Sequence, residues 1–280
     1  MSETNNTIFE LRRPDEKEVA IAAVGDLHWG SHTCNEKSVR AWAKKIEQEQ
    51  WYWVGVGDYT ENALRGSVGD IHKQTMAPDE QVETLAKIFA PVAHKCLGCV
   101  GGNHGARSVK AAGFDVDATF AKELSFQGGK GAFAQPEILF CREGLSGLIQ
   151  VGEARWKVMV SHCAGGGRTM GGKAMALHRM GDTWPMMDLY IGGHTHAAIG
   201  FPDERYDLSV HAGGVRQMKH IRQFSGCGST LEYLGSYAQT ALYQPASLCQ
   251  VVHYLGDRIH RSHQGVEFHE KRFNRDVVML

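Results

Sequence analysis

Three features of the chain predict an α/β fold. Short apolar runs alternate with longer stretches whose apolar residues recur at helical spacing, the pattern of βαβ units. Five of those runs end in a small cluster containing Asp, Asn or His, and ligand sites of α/β sheets assemble at strand ends on one edge. A length of 280 residues, with 42% hydrophobic and 22% charged residues, suffices for one large globular domain. No internal repeat or low-complexity linker divides the chain, so residues 1–280 are expected to form a single domain.

The elements follow in order. Val19–Val24 reads as a buried strand ending at Gly25-Asp26. Asn35 can cap a helix running to about Glu49, with Val39, Trp42, Ala43 and Ile46 on one face. Trp51–Val56 is the next strand, ending at Gly57-Asp58, and its tryptophans read as core rather than as a stacking platform. Asp79 is expected to cap a helix carrying Val82, Leu85, Ala86 and Phe89, ended or kinked by Pro91. Leu97–Val100 leads into Gly101-Gly102-Asn103-His104. Asp115 caps a third helix to about Leu124. Strands near Ile138–Cys141 and Leu148–Val151 precede Trp156–Val160, which ends at Ser161-His162. A Gly-rich loop and a helix to about Met180 follow, then Asp188–Ile191 ending at Gly192. From about Tyr206 the chain reads as mostly β, with Leu248–Leu255 and Arg258–Phe268 as a hairpin turning at Gly256-Asp257.

The strand-end clusters carry the chemistry. They are Asp26-Leu27-His28, Gly57-Asp58, Gly102-Asn103-His104, Ser161-His162 and Gly192-Gly193-His194-Thr195-His196. Many of the 33 glycines flank them, where tight turns and close backbone approach need a residue without Cβ. On a continuing strand Asp26 and His28 would share a face, as would His194 and His196. Carboxylates, one amide oxygen and neutral imidazoles suit two borderline divalent ions. Two ions about 3.5–4 Å apart can hold a hydroxide and polarise a phosphoryl group for in-line displacement. A single Asp-x-His is common, and Gly-Asp after a strand is often only a turn; five such clusters in series argue for metal-dependent hydrolysis. His104 adjoins a candidate ligand, so its side chain diverges from that of Asn103 and is free to donate a proton to a leaving oxygen.

In order, these clusters match the motif series of the calcineurin-like metallophosphoesterases, which the chain resembles from about residue 19 to 200, with the mostly β part from about 206 to 280 beyond it. Cys163 and the segment Ala164-Gly165-Gly166-Gly167-Arg168-Thr169 resemble phage and bacterial members related to repair exonucleases. The resemblance implies a two-sheet β-sandwich flanked by helices, with a dinuclear metal site at the strand ends. It implies a first metal on Asp26, His28, Asp58 and His196, and a second on Asp58, Asn103, His162 and His194, with Asp58 shared. It implies His104 as catalytic acid or transition-state donor. Manganese is the leading expectation, with Fe, Zn, Co or Ni as alternatives. Phosphodiester hydrolysis of DNA or nucleotides is the first expectation; a phosphomonoesterase or protein phosphatase, and a non-catalytic binding scaffold, are the alternatives. Gly105 departs from the pattern: the family usually has Asp or Glu there, which leaves the support of His104 unassigned.

Further residues carry weaker signals. Arg107 and Arg168 could clamp a phosphate bidentately, or form surface ion pairs. Arg216, Lys219, His220 and Arg222 form a basic stretch with no acid between Asp207 and Glu232. It could touch a nucleic-acid backbone, although a solvated face is the blander reading. His72, His94, His178, His253, His260, His263 and His269 fit no second metal pattern. The net charge of −1 gives no global pull toward nucleic acid or anionic membrane. Seven cysteines, an odd number, argue against a disulfide framework, and the lone Cys96–Cys99 pair reads as packing. A polar N-terminus and the lack of any run near the roughly 20 apolar residues of a membrane span point to the cytoplasm, or to a host cytoplasm if the protein is phage-encoded. A homo-oligomer is left open.

Overall fold

The computed structural model describes residues 8–65, 67, 71–129, 137–165, 167–211, 214–263 and 266–280. Two sheets lie face to face. The first has the order β1 (Ile8–Arg13), β6 (Leu145–Val151), β7 (Ala154–Ser161), β8 (Leu189–Gly192), β10 (Gly214–Gly226), β9 (Gly200–His211). The second runs β11 (Gly228–Ser229), β12 (Cys249–His263), β2 (Glu18–Val24), β3 (Tyr52–Gly55), β4 (Cys96–Val100), β5 (Phe140–Cys141), with β13 (Val266–Met279) paired to β12. Strands β2, β3, β4 and β5 are mutually parallel, and so are β7, β8 and β10. This is the expected two-sheet α/β sandwich flanked by helices.

Burial on both faces explains why these strands read as continuous apolar runs. In β2, Ile21 and Ala23 face the inter-sheet core with Val54, Val56, Leu145, Ile149, Val158 and Ile191. The alternate residues, Ala22 and Val24, face a helical layer of α1 (Glu36–Glu49), α2 (Pro78–Phe89) and α4 (Val116–Gly128), packed through Trp42, Phe89 and Phe120. On the other side, Leu177 of α5 (Met170–His178) and Met180 of α6 (Met180–Thr183) cover Met159, Tyr190 and Phe224 of the first sheet. Trp53 is fully buried and donates to the Val92 carbonyl, so it is core, as its place in the sequence suggests. Cys96 and Cys99 are buried with their sulfurs 3.9 Å apart and are free thiols.

The helix caps follow ordinary chemistry. Asn35 Oδ1 accepts the Ser38 N–H at 3.0 Å, and the expected Val39, Trp42, Ala43 and Ile46 face is buried. Asp115 accepts the N–H groups of Asp117 and Ala118 at the start of α4. The second helix begins earlier than expected. Ala77 is its N-cap and Pro78 its first residue, while Glu80 reaches back to the Ala77 N–H at 3.0 Å. Proline is favoured at a first helical position because its missing N–H would be unpaired there anyway; Asp79 therefore sits inside the helix.

Two readings of the C-terminal part are corrected. Gly256-Asp257 is no hairpin turn. Strand β12 continues through it with a register shift between Leu255 and Arg258, and pairs with β13 as far as His263↔Val266, so the turn falls outside the described residues. The Asp257 carboxylate accepts the N–H groups of Glu153 and Ala154 instead, pinning the β6–β7 turn. The basic stretch lies on β10, antiparallel to β9; Asp203 and Glu204 of β9 and Asp188, just before β8, supply the acids. Arg222 is 2% exposed, donates to Asp203 and to the carbonyls of Gly181 and Pro185, and is part of the core. Lys219 pairs with Glu204 at 2.6 Å and His220 with Asp188 at 3.1 Å; the Arg216 side chain lies outside the described residues. Among the described side chains of the stretch, Lys219 and Arg222 are thus ion-paired and His220 is hydrogen-bonded to Asp188. Arg222→Gln should therefore lower stability by roughly 1–3 kcal/mol through unsatisfied buried partners, read as a lower thermal midpoint. Unchanged stability would contradict this placement.

His253 ties the two sheets together. From β12, its Nδ1 lies 3.2 Å from the Ile21 carbonyl and its Nε2 2.8 Å from Ser225 Oγ of β10. Full burial, aided by the Arg275 charge, lowers its pKa to about 3. The folded state thus refuses a proton that the unfolded chain takes below about 6.5. This contribution to stability is present above that value and is lost as pH falls from it toward 3. With both proteins stripped of metal, His253→Gln should show a smaller fall in thermal midpoint between pH 7 and 4.5 than the parent. Parallel pH profiles would contradict the assignment.

Candidate metal centre and catalytic cleft

All five clusters fall at the carboxyl ends of parallel strands: β2, β3 and β4 in one sheet, β7 and β8 in the other. The strands stop before the donors begin. Past them the chain continues as paired loops, with Leu27 and His28 N–H groups both donating to the Asp58 carbonyl at 3.0 and 3.1 Å. The expected pleat geometry does not hold for Asp26 and His28 or for His194 and His196. These four and Asp58 have φ between 48° and 67°, the left-handed region that costs a non-glycine residue energy and clusters at functional sites. Left-handed turns, not a shared strand face, aim these side chains. Gly57, at φ 90°, is packed so closely that a Cβ would sit 2.7 Å from His162 Nδ1.

Three donor groups result among the described residues, one of them His28, Glu61 and His104. Asp26, His28 and His196 form the first of the other two, and Asp58, His162 and His194 the second, with the donor atoms within 4.8 Å of one another in each. In the first, His28 Nε2 faces His196 Nε2 at 3.1 Å, and His196 Nε2 lies 3.6 Å from Asp26 Oδ1. In the second, His162 Nε2 is 3.1 Å from Asp58 Oδ2. Asn103 Oδ1 lies 2.9 Å from that Nε2 and 2.7 Å from His194 Nδ1. All seven ligand candidates read from the sequence converge here.

Helix α3 (Asn103–Ala112) was not foreseen, and it decides where two of the residues point. Asn103 and His104 open it, so their side chains diverge by about 100°. Asn103 faces the second donor group. His104 turns toward the first, its ring centroid 4.3 Å from that of His28, with Nε2 3.9 Å from Asp58 Oδ2. The His104 N–H donates to Asp58 Oδ1 at 2.8 Å, tying the start of α3 to the loop after β3. Arg107, one turn on, sets its guanidinium against the His104 ring at 2.9 and 3.1 Å. Arg168 is exposed at the rim and lies over Tyr243 at 5.6 Å.

Glu61 is a site residue missed in the sequence. Its Oε2 lies 3.3 Å from His28 Nδ1 and 3.7 Å from His104 Nδ1, and its carbonyl is 2.6 Å from His104 Nδ1. Its position three residues past Asp58 was the available signal. Asn62 adds a bond from Nδ2 to the His104 carbonyl at 2.8 Å.

The charges show what the pocket lacks. Burial opposes a charge on His162, but Asp58 outweighs it and lifts the imidazole to about 10. His162 Nδ1 lies 2.8 Å from the Val56 carbonyl and donates to it. That leaves Nε2 as a lone pair among oxygens unless a proton or a cation stands there. Burial alone would raise Asp58, yet His162 and His104 hold it well below the usual carboxylate range. Burial drives His196 and His104 down to about 4, aided by the His28 charge in both, and His194 is lowered by burial and by His162. Buried carboxylates and imidazole lone pairs facing one another fit hard-to-borderline divalent cations. Neutral imidazoles, with their second nitrogen fixed by a carbonyl or carboxylate, are the form that binds them.

The donors open on a cleft of about 600 Å³. Its far wall comes from residues the sequence did not flag, among them Tyr233 and Tyr243. Lys173 of α5 also lines it, 9% exposed and with no salt bridge among the described residues. No helix among the described residues is long and apolar enough to cross a membrane.

Comparisons with known proteins agree with the motif order. The family model of the calcineurin-like phosphoesterases matches residues 19–198. Among solved structures, one similar chain is a conserved protein from Streptococcus pneumoniae TIGR4 described as a predicted phosphoesterase. It shares 12% identity at a TM-score of 0.36, over 91% of this chain and 98% of that one. Another is GAP50, the anchor in the inner membrane complex of Plasmodium, with 13% identity and a TM-score of 0.38, over 91% of this chain and 89% of that one. A search of curated proteins finds no match.

Proposed function

The chain belongs to the calcineurin-like phosphoesterases, and on that premise we propose that it is a two-metal phosphodiesterase acting on nucleotides or DNA. The observation that carries this reading is the convergence of six buried or half-buried Asp and His donors with the exposed Asn103 amide, as Asp26, His28 and His196 beside Asp58, His162, His194 and Asn103. Asp26, His28, Asp58 and His196 would hold one divalent ion, and Asp58, Asn103, His162 and His194 the other. Bound there, the ions would supply Lewis acidity at the phosphoryl oxygens and activate water. Manganese is the first ion to test; the mixed oxygen and nitrogen donors also admit Fe, Zn, Co and Ni.

The chain's own groups do the rest. The Val56 carbonyl fixes the tautomer of His162, and Glu61 stands behind His28. His104 Nδ1 faces the Glu61 carbonyl and its Nε2 the Arg107 guanidinium at 2.9 Å; as the acid it would take up a proton at Nε2 once Arg107 turns to the phosphate, and pass it to the leaving oxygen. Burial keeps this imidazole neutral without ligand; an anionic phosphoester beside it raises its proton affinity. Arg107 and Lys173 offer positive charge to non-bridging oxygens, and Lys173 has lost much of its hydration already. Support for a diester comes from the cleft, whose volume of about 600 Å³ leaves room for a group on each side of phosphorus. Tyr233 and Tyr243 on its wall are sequence-tolerant stacking surfaces for a base.

Hydrolysis of a bis-aryl phosphate by the metal-loaded protein should exceed that of a mono-aryl phosphate. His104→Gln should lower kcat by about 10²–10⁴-fold, the usual contribution of acid–base catalysis, with ion content retained. A preference for the monoester would make it a phosphomonoesterase. No turnover with any of the five metals would favour a binding scaffold. Unchanged kcat in His104→Gln would remove that residue from the chemistry.

A further inference from the structure

We infer that Asp117, on α4, is a positioning carboxylate for the turn that carries Asn103 and His104, and that Gly105 lacks a side chain in order to admit it. The inference rests on the reading of Asn103 and His104 given above. Asp117 Oδ2 accepts the Gly102 N–H at 2.8 Å, and Gly102 is the residue before α3, directly preceding both functional side chains. A Cβ built on Gly105 would overlap the Asp117 carboxylate. The space that a side chain at 105 would use is thus already filled by an acid reaching in from the next helix, twelve residues along the chain.

Asp117 is an unfavourable residue to bury without a reason. It is 1% exposed, and its Oδ1 has no hydrogen-bond partner among the described residues. A buried, half-satisfied carboxylate costs folding free energy. What it supplies follows from how α3 is held. Only Gly105 and Ser108 of that helix are buried, so apolar packing fixes little of its position. Hydrogen bonds do so instead: Asp117 to the Gly102 N–H, Asp58 to the His104 N–H, and Asn62 to the His104 carbonyl and to Ser108 Oγ at 3.1 Å. The start of α4 also holds the other side of Gly102. Asp115, its cap, engages Arg142 Nε at 2.8 Å, and Arg142 Nη1 lies 3.4 Å from the Gly102 carbonyl. Removing the Asp117 acceptor would let the α3 start drift while leaving every metal donor and His104 in place chemically. A displacement near 1 Å at a catalytic group can cost about 10²-fold.

The test is kinetic, on the metal-loaded full chain with a bis-aryl phosphate. Asp117→Ala should lower kcat about 10–100-fold with KM within about twofold. Asp117→Asn, whose amide oxygen can still accept from Gly102, should keep kcat within about threefold. Gly105→Ala displaces the carboxylate and should resemble Asp117→Ala, yet add less than about twofold in the Asp117→Ala background, the non-additivity of a shared contact. In a His104→Gln background, Asp117→Ala should lower kcat by a smaller factor than in the parent, because only its effect through Asn103 remains. Should Asp117→Ala not fold, Gly105→Ala gives the same comparison with the carboxylate still on the chain. Full kcat in folded Asp117→Ala, or additive losses in these double variants, would overturn the inference alone if His104→Gln has lost activity. If His104→Gln keeps its activity, the site reading fails and the inference falls with it.

Discussion

The structure turns on a concentration of buried acceptors at one edge of the sandwich. Asp26 and Asp58 are shielded from water, and imidazole nitrogens point at them and at one another. Acceptors crowded in this way repel unless positive charge stands between them. The same demand for positive charge shows at His162: against the opposing effect of burial, Asp58 raises its pKa to about 10. The backbone strain belongs to the same constraint. Left-handed turns at Asp26, His28, Asp58, His194 and His196 cost energy, and the interlocked loops of the two sheets over-determine them. The fold supplies the rigidity and the site uses it: five parallel strand ends, drawn from both sheets, deliver donors to one place.

This arrangement also sorts the residues around the donors into roles. Glu61 and the Val56 carbonyl act on the far nitrogens of the imidazoles, which sets the tautomers and leaves the near nitrogens free. Helix α3 carries an amide, an imidazole and a guanidinium in Asn103, His104 and Arg107, at successive angles around the helix. It can do so because little of its surface is needed for packing. The cleft wall from Ser229 to Ala246 contributes none of the donors.

Much of the fold and of the centre was legible in the sequence, for reasons that can be stated. Val19–Val24 and Leu97–Val100 are buried on both faces and so show as unbroken apolar runs. Asn35 and Asp115 cap helices with an apolar face. The Asp, Asn and His residues that converge at the strand ends were legible because each cluster closes an apolar run. The rest depends on tertiary context. Residues 103–112 offer only Ala106, Val109, Ala111 and Ala112 as apolar side chains, too few for α3 to stand out beside the polar motif that opens it. Gly256-Asp257 has the composition of a turn, but the Asp257 side chain caps the β6–β7 turn and the strand runs on. The positive-φ turns leave no mark when the residue is Asp or His rather than Gly. Asp117 reaches the Gly102 N–H, and Tyr243 the cleft wall, only through folding. The basic stretch misleads in the opposite direction, because its acidic partners arrive from elsewhere in the chain, Asp203 and Glu204 on β9 and Asp188 before β8.

The most direct measurement of the central claim is anomalous diffraction from crystals loaded with manganese, collected on both sides of its absorption edge. The account predicts two anomalous peaks flanking Asp58, one among Asp26, His28 and His196, the other among Asn103, His162 and His194. A lone peak held by His28, Glu61 and His104, or no peak near Asp58, would contradict it.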